Sequence, residues 1–222
     1  MVDHPKTRRS RYSLRFLMMA TAIAALVFAL WASQVEPYRR QAAGLDRFGG
    51  FGLVESNQRW ISKTGGVAPP GSPAGPEWKR RLVESVIGES RFREIRSLGF
   101  KPETPEEDLL YVLERMPFLQ NVSFNRCKLS ARTLQCLAKL PNLSELVIWH
   151  CDVSDEAIGH LSASNSIRRL ILNCNPVSDD SVVSLSEIES LGELHIRSTD
   201  ISEAGSQRFR NLKPGCEVHY QP

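Results

Sequence analysis

Apolar side chains recur along this chain at a fixed step of 24 residues. Leu143, Leu146 and Ile148 set the template. One step earlier stand Leu119, Val122 and Phe124, and the next two steps give Ile167, Leu170 and Leu172, then Leu191, Leu194 and Ile196. A further step back lands on Ile95, Leu98 and Phe100, and a further step forward on Val218 and Tyr220, with no gap. A second set keeps the same register. Leu129, Val153, Val177 and Ile201 are each followed at once by a serine, and then come Leu134, Ile158 and Val182 with Leu137, Leu161, Leu185 and Phe209. Self-similarity at a fixed period means that each unit does the same structural job and buries its apolar side against its neighbours.

The period of the pattern changes inside each unit. The alternation in "ELVIW" predicts a short strand, and the residues after it carry a helical pattern. Ser130, Ser154, Ser178 and Ser202 stand where that helix begins, and a serine hydroxyl there accepts a backbone N–H of the first turn. Asp155 with Glu156, and Asp179 with Asp180, place negative charge at the positive end of the helix dipole.

Each unit thus reads LxxLxLxx(C/N/T)x(L/V/I)S followed by a helical segment, which resembles the leucine-rich repeat. The resemblance implies an α/β fold over residues 95–222: a short right-handed solenoid arc with a parallel sheet on its concave face. It also implies that Cys127, Cys151, Asn175 and Thr199 form an inward polar column. Each of these side chains can donate a hydrogen bond to the carbonyls of the bend between coils. In the first unit Glu103 and Pro105 stand where the polar and aliphatic corner residues belong, so that unit reads as a cap. "LKPGCEVHYQP" supplies a last strand without a helix.

The other end of the chain has no such period. From Phe16 to Ala32 run 17 uncharged, mostly apolar residues, enough to cross a bilayer as a helix. Lys6, Arg8, Arg9, Arg11 and Arg15 precede this run, and Arg39, Arg40 and Arg47 follow it, a bias that leaves the N-terminus in the cytoplasm and the repeats outside. The expected organisation is a basic cytoplasmic tail at 1–15 and a transmembrane helix at 16–33. A juxtamembrane helix with a short strand follows at 34–64, a Gly/Pro-rich loop at 65–76 and a capping helix at 77–94. Secretion after cleavage of a signal peptide is the alternative, with Leu30-Trp31-Ala32 as a weak cutting site.

Taken together, the basic start, "DRFGGFG", "PEWKRRLVESVIGESRFREI" and the repeats ending in "LKPGCEVHY" resemble the small membrane-anchored leucine-rich-repeat proteins of planctomycete bacteria. That resemblance implies a tethered recognition surface and no particular activity.

Charge narrows the partners. The first fifteen residues carry five basic side chains against one Asp, so in a chain of net charge +3 the remainder sums to −1. The repeats lack the basic face that nucleic-acid binding requires, and nucleic acid is not an expected partner. Among the five cysteines, Cys127 and Cys151 fall on adjacent coils within reach of a disulfide, yet both point inward, so reduced buried thiols are expected.

Function in such an arrangement falls to the side chains that the strands turn outward. One outward column holds Ser123, Val147, Ile171, His195 and His219, flanked by Asn121, Glu145, Arg169 and Glu193 on one side and Asn125, Trp149, Asn173 and Arg197 on the other. A fourth column at the strand exit holds Arg126, His150, Cys174 and Ser198. Trp149 among Val147, Ile171, Asn125 and Asn173 has the makings of an interface hot spot, with Glu145, Arg169, Arg197, His195 and His150 around it. Glu145 and Arg169 are placed to pair across adjacent strands.

The expected function is recognition of a protein or envelope component without chemistry, and no cofactor is called for. Two alternatives stand beside it: a structural envelope scaffold with no discrete ligand, and a thiol-dependent enzyme using Cys174 and His150. The latter lacks an evident orienting group or oxyanion donor. His195 and His219 are column neighbours, but two ligands are too few for a metal site.

Overall fold

The structure is a computed structural model and describes residues 14–48, 52–56, 59–61, 95–100 and 102–222. The expected Gly/Pro-rich loop at 65–76, the capping helix at 77–94 and nearly all of the basic tail lie outside these residues.

One eight-stranded sheet organises the described chain, in the order β2-β1-β3-β4-β5-β6-β7-β8. The strands are β1 (Gly52–Ser56), β2 (Arg59–Ile61), β3 (Ser97–Phe100), β4 (Asn121–Asn125), β5 (Glu145–Trp149), β6 (Arg169–Ile171), β7 (Glu193–Arg197) and β8 (Glu217–Gln221). From β3 onward every pairing is parallel. Leu98 lies opposite Val122, Val122 opposite Leu146, Leu146 opposite Leu170, Leu170 opposite Leu194 and Leu194 opposite Val218. The 24-residue step in sequence is therefore the hydrogen-bonding register in space. Parallel strands need a crossover between them, and here it is a short helix or turn: α2 (Glu106–Leu113), α3 (Ala131–Ala138), α4 (Asp155–Gly159), α5 (Val182–Ser186) and α6 (Glu203–Leu212).

The inward strand positions form the core together with the helices. Val122, Phe124, Leu146, Ile148, Leu170, Leu172, Leu194 and Ile196 are all buried, as are Leu134, Leu137, Ile158, Leu161, Val182, Leu185 and Phe209 from the crossovers. Burying one such side chain is worth about 1.5–3 kcal/mol relative to leaving it in water. Phe100 and Phe124, one step apart, stack at 5.0 Å between ring centroids with 4° between their planes.

Three sets of hydrogen bonds repeat with the units. The expected serine caps form: Ser130, Ser154, Ser178 and Ser202 accept from the N–H groups of Arg132, Ala157, Asp180 and Gly205. The inward polar column is uneven. Asn175 Nδ2 donates to the carbonyls of Ile148, Leu172 and Asn173, and its Oδ1 accepts from the N–H of Cys151, all within 3.0 Å. The Cys151 thiol donates to the Trp149 carbonyl at 3.3 Å, and that of Cys127 to Asn125 at 3.5 Å. The Thr199 hydroxyl is buried with no partner among the described residues, which corrects the expectation that every member of this column serves the bend. All five cysteines are free thiols. The hydrogen bond with Cys151 and then burial push the Cys127 thiol up.

A third ladder links helix starts. Asp155 accepts from Ser178 N at 2.8 Å and Oγ at 2.6 Å, and Asp179 accepts from Ser202 N and Oγ at the same distances. Glu106 receives Ser130 Oγ, Ser130 N and Thr133 Oγ1. These carboxylates do more than meet a helix dipole, because each fixes the capping serine of the next unit.

Two antiparallel strands close the N-terminal edge of the parallel strands, and the capping helix expected at 77–94 lies outside the described residues. Strand β1 pairs antiparallel with both β2 and β3, so β3 presents no open edge there. Helix α1 (Leu14–Phe48) runs unbroken through Pro37, and its second half packs on the first unit. Tyr38 lies against Phe118 at 5.0 Å, and buried Gln41 Oε1 accepts the N–H of Ile95 at 2.9 Å. Gly44 lies where an added Cβ would meet Met116 at 3.1 Å and Arg115 at 3.3 Å. In the first half of α1, Phe16, Met18, Met19, Ile23, Leu26, Val27, Phe28 and Leu30 are all exposed.

Candidate functional site

The outward face of the sheet is built by the same alternation that builds the core, since residues between two inward positions must point the other way. The central outward column runs Ser123, Val147, Ile171, His195, His219 in direct register. It changes from apolar to imidazole along the sheet. Asn125, Trp149, Arg197, Arg169 and His150 are exposed, whereas Val147, Ile171, Asn173, Glu145 and His195 are half-buried by their neighbours.

Trp149 sits at the exit of β5 opposite Asn125 and remains 48% exposed. Its indole Nε1–H donates to Cys174 Sγ at 3.3 Å, and its ring lies nearly parallel to that of His150, with centroids 5.7 Å apart. The indole thus leans on its neighbours while keeping about half its surface free. Asn173 holds the adjacent strand exit, its Oδ1 accepting from Arg197 N at 3.0 Å.

The exit column has a backbone reason for its residue types. Arg126, His150, Cys174 and Ser198 all adopt left-handed conformations, with φ of 53°, 53°, 57° and 52°. Such a conformation costs an L-residue about 1–2 kcal/mol. Each is locked by its own N–H, which donates to a carbonyl at the exit of the next strand: Trp149, Asn173, Arg197 and Gln221 accept in turn. This column therefore turns the chain, and among the described residues no hydrogen bond joins His150 to Cys174. Indole, rather than imidazole, partners the Cys174 sulfur.

Charge gathers one strand further on. Arg169 lies between Glu145 at 3.8 Å and Glu193 at 3.0 Å, so the expected pair is the longer arm of a three-residue bridge. Exposed bridges of this kind are worth up to about 1 kcal/mol. Glu193 Oε1 also meets His195 Nε2 at 2.6 Å and His219 Nε2 at 3.6 Å, and the two imidazole rings stack at 4.3 Å. The hydrogen bond from His195 holds the Glu193 carboxyl below its usual range, outweighing slight burial, and Arg169 adds to the effect. Glu217 approaches the same His219 nitrogen at 3.2 Å.

By column position in the sequence, Glu193 is only a flanking residue. The signal for it was present, because Glu193 and His195 are two apart on one strand and so share a face, and a step of 24 brings His219 beside them. A cleft of about 730 Å³ lies at the strand entrances, and Asn142, Ser144, Ser166 and Ser190 are among its lining residues. Those four side chains already donate to the carbonyls of Pro117, Gln120, Leu140 and Ile167, so they serve the coil junctions.

No family model matches the sequence, and a search of curated proteins finds no match. Among solved structures, the actin-binding site 2 of leiomodin-1 aligns over 55% of this chain and 82% of its own, with 15% identity and a TM-score of 0.44. A leucine-rich-repeat protein of Leptospira interrogans aligns over 61% of this chain and 38% of its own, with 19% identity and a TM-score of 0.41.

Among the described residues one helix is long and apolar enough to cross a membrane, Met18–Gly44 within α1.

Proposed function

We propose that this chain is a membrane-tethered recognition module of the leucine-rich-repeat type. Its stacked units form a short right-handed arc that binds a protein or envelope component through the concave sheet, without catalysis. The observation that carries the reading is the exposed indole of Trp149, set on an ordered sheet face between Asn125, Val147, Ile171 and Asn173. A large aromatic side chain half in water on a rigid strand, ringed by amides and aliphatics, matches the composition of interface hot spots. Arg169, Glu145 and Arg197 supply charge at its border, which favours specificity and encounter rate over raw affinity.

The tether is α1. Its exposed apolar first half suits lipid, and the basic residues before it favour a cytoplasmic N-terminus with the repeats on the far side. The 17-residue apolar run exceeds the usual core of a leader and no Ala-x-Ala precedes a cutting site, which supports a retained anchor over a cleaved leader.

The test is affinity capture with the full chain from its native membrane, comparing wild type with Trp149→Ala and Arg169→Ala at matched thermal midpoints. Loss of one discrete partner in both variants is the expected result. An unchanged set of captured proteins would remove these residues from any interface and leave the scaffold reading in their place. Protease accessibility of the repeats in intact spheroplasts tests the orientation separately.

A further inference from the structure

We propose that Glu193, His195 and His219 form a binding site for a divalent transition-metal ion of the zinc type, set on the outward face between β7 and β8. This proposal does not depend on the partner-binding role of Trp149.

Three potential ligand atoms, one from each residue, lie within 4.8 Å of one another. His195 Nε2 is 2.6 Å and His219 Nε2 3.6 Å from Glu193 Oε1. Ligand atoms bound tetrahedrally at about 2.0–2.2 Å stand roughly 3.3 Å apart, so modest side-chain adjustment brings all three onto one ion. Two imidazoles and one carboxylate suit zinc, copper or nickel and not calcium or magnesium, which take oxygen ligands. Glu217, 3.2 Å from His219 Nε2, is within reach as a fourth ligand or as an outer partner that orients the ring.

The scaffold holds the group in place. Glu193 and His195 are two apart on β7, and His195 pairs in register with His219 on β8, so backbone hydrogen bonding fixes the separation of all three. The imidazoles stack at 4.3 Å. His195 is the most enclosed, with 13% of its side chain exposed, while Glu193 and His219 keep about 30%, so an ion has a path in from solvent.

One residue opposes the ion. Arg169 Nη2 lies 3.0 Å from the same Glu193 oxygen, and a cation bound there would meet its charge. Arg169 has a second partner in Glu145 at 3.8 Å and can turn to it. Removing that guanidinium should therefore tighten binding, which a purely structural role for the cluster does not predict.

The experiment is titration of the detergent-solubilised full chain with Zn²⁺ by calorimetry, with Co²⁺ as a spectroscopic stand-in and Mg²⁺ and Ca²⁺ as comparison ions. The expected result is one Zn²⁺ per chain at this site and a visible cobalt band without thiolate charge transfer. His195→Ala, His219→Ala and Glu193→Gln should each weaken binding at least tenfold. His150→Ala should leave it unchanged, and Arg169→Gln should tighten it severalfold. Absence of Zn²⁺ binding, binding that survives His195→Ala with His219→Ala, or binding lost on Cys174→Ser would each overturn the proposal. Circular dichroism confirms that the variants keep their fold, and the Arg169→Gln arm decides the matter even where a ligand variant does not.

Discussion

The two faces of the parallel sheet obey different rules although they alternate along the same strands. On the inner face Val122, Leu146, Leu170 and Leu194 repeat one aliphatic character at every step, each sealed by the coil before and after it. On the outer face Ser123, Val147, Ile171, His195 and His219 pass from hydroxyl to aliphatic to imidazole while keeping the same register. Stacking constrains what a residue must be only where it touches the next coil inside. The outer positions are free to differ, and that freedom is where a repeat protein acquires particular chemistry.

This contrast can be broken by substitution. Leu146→Ala should cost about 2–5 kcal/mol in urea unfolding, because it opens a cavity between two coils; a loss below 1 kcal/mol would mean that the inner face is not closed. Asn175→Ala should come next, at about 2–3 kcal/mol, since it strands the buried Cys151 N–H and two carbonyls. Asn175→Cys should recover part of this, as Cys151 does a reduced version of the same work one coil earlier.

Gly205→Ala should cost about 1–2 kcal/mol, read as a lower thermal midpoint. A Cβ there would stand 1.9 Å from Asp179 Oδ1 and displace the carboxylate from Ser202. Trp149→Ala, by contrast, should leave stability within about 0.5 kcal/mol while weakening partner capture, which would place its importance on the outer face alone.

The smallest effect is one of pH. The hydrogen bonds from Ser202 hold the Asp179 carboxyl below its ordinary 3.8 despite slight burial. For Glu106, burial works to raise the value, but Ser130 and Thr133 donate strongly enough to bring it below 4.5. A carboxyl depressed in the folded state stabilises the fold above its unfolded value, and the benefit is lost as pH falls through the folded one. The thermal midpoint should therefore begin to drop as pH falls below the ordinary carboxyl values of 4.5 and 3.8, and Ser202→Ala should lessen the share of that fall due to Asp179.

Much of this arrangement was legible in the sequence because inward residues are chosen by identical neighbours, so their spacing is the pairing register itself. The capping serines were readable for the same reason, each being a local device answering the helix that follows. Contacts that cross between units at other offsets were not. Asp179 reaches Ser202 at 23 residues rather than 24, and Glu193 joins two histidines by combining a step of two with a step of 24. The packing of Tyr38 and Gln41 on the first unit depends on contacts 54 or more residues apart, which no periodicity encodes.

The unbroken course of α1 has a mechanical consequence. In the tethered arrangement proposed above, a helix that left the lipid and docked without a break would behave as a stiff mast rather than a leash. With Tyr38 and Gln41 clamped to the first coil, the height and tilt of the sheet above a bilayer would then be set by the rod. Each added residue lifts it by about 1.5 Å and turns it by about 100°. Inserting one residue between Leu30 and Val35 would swing Trp149 to a new heading, and a partner held in the same membrane would feel that rotation before any contact residue had changed.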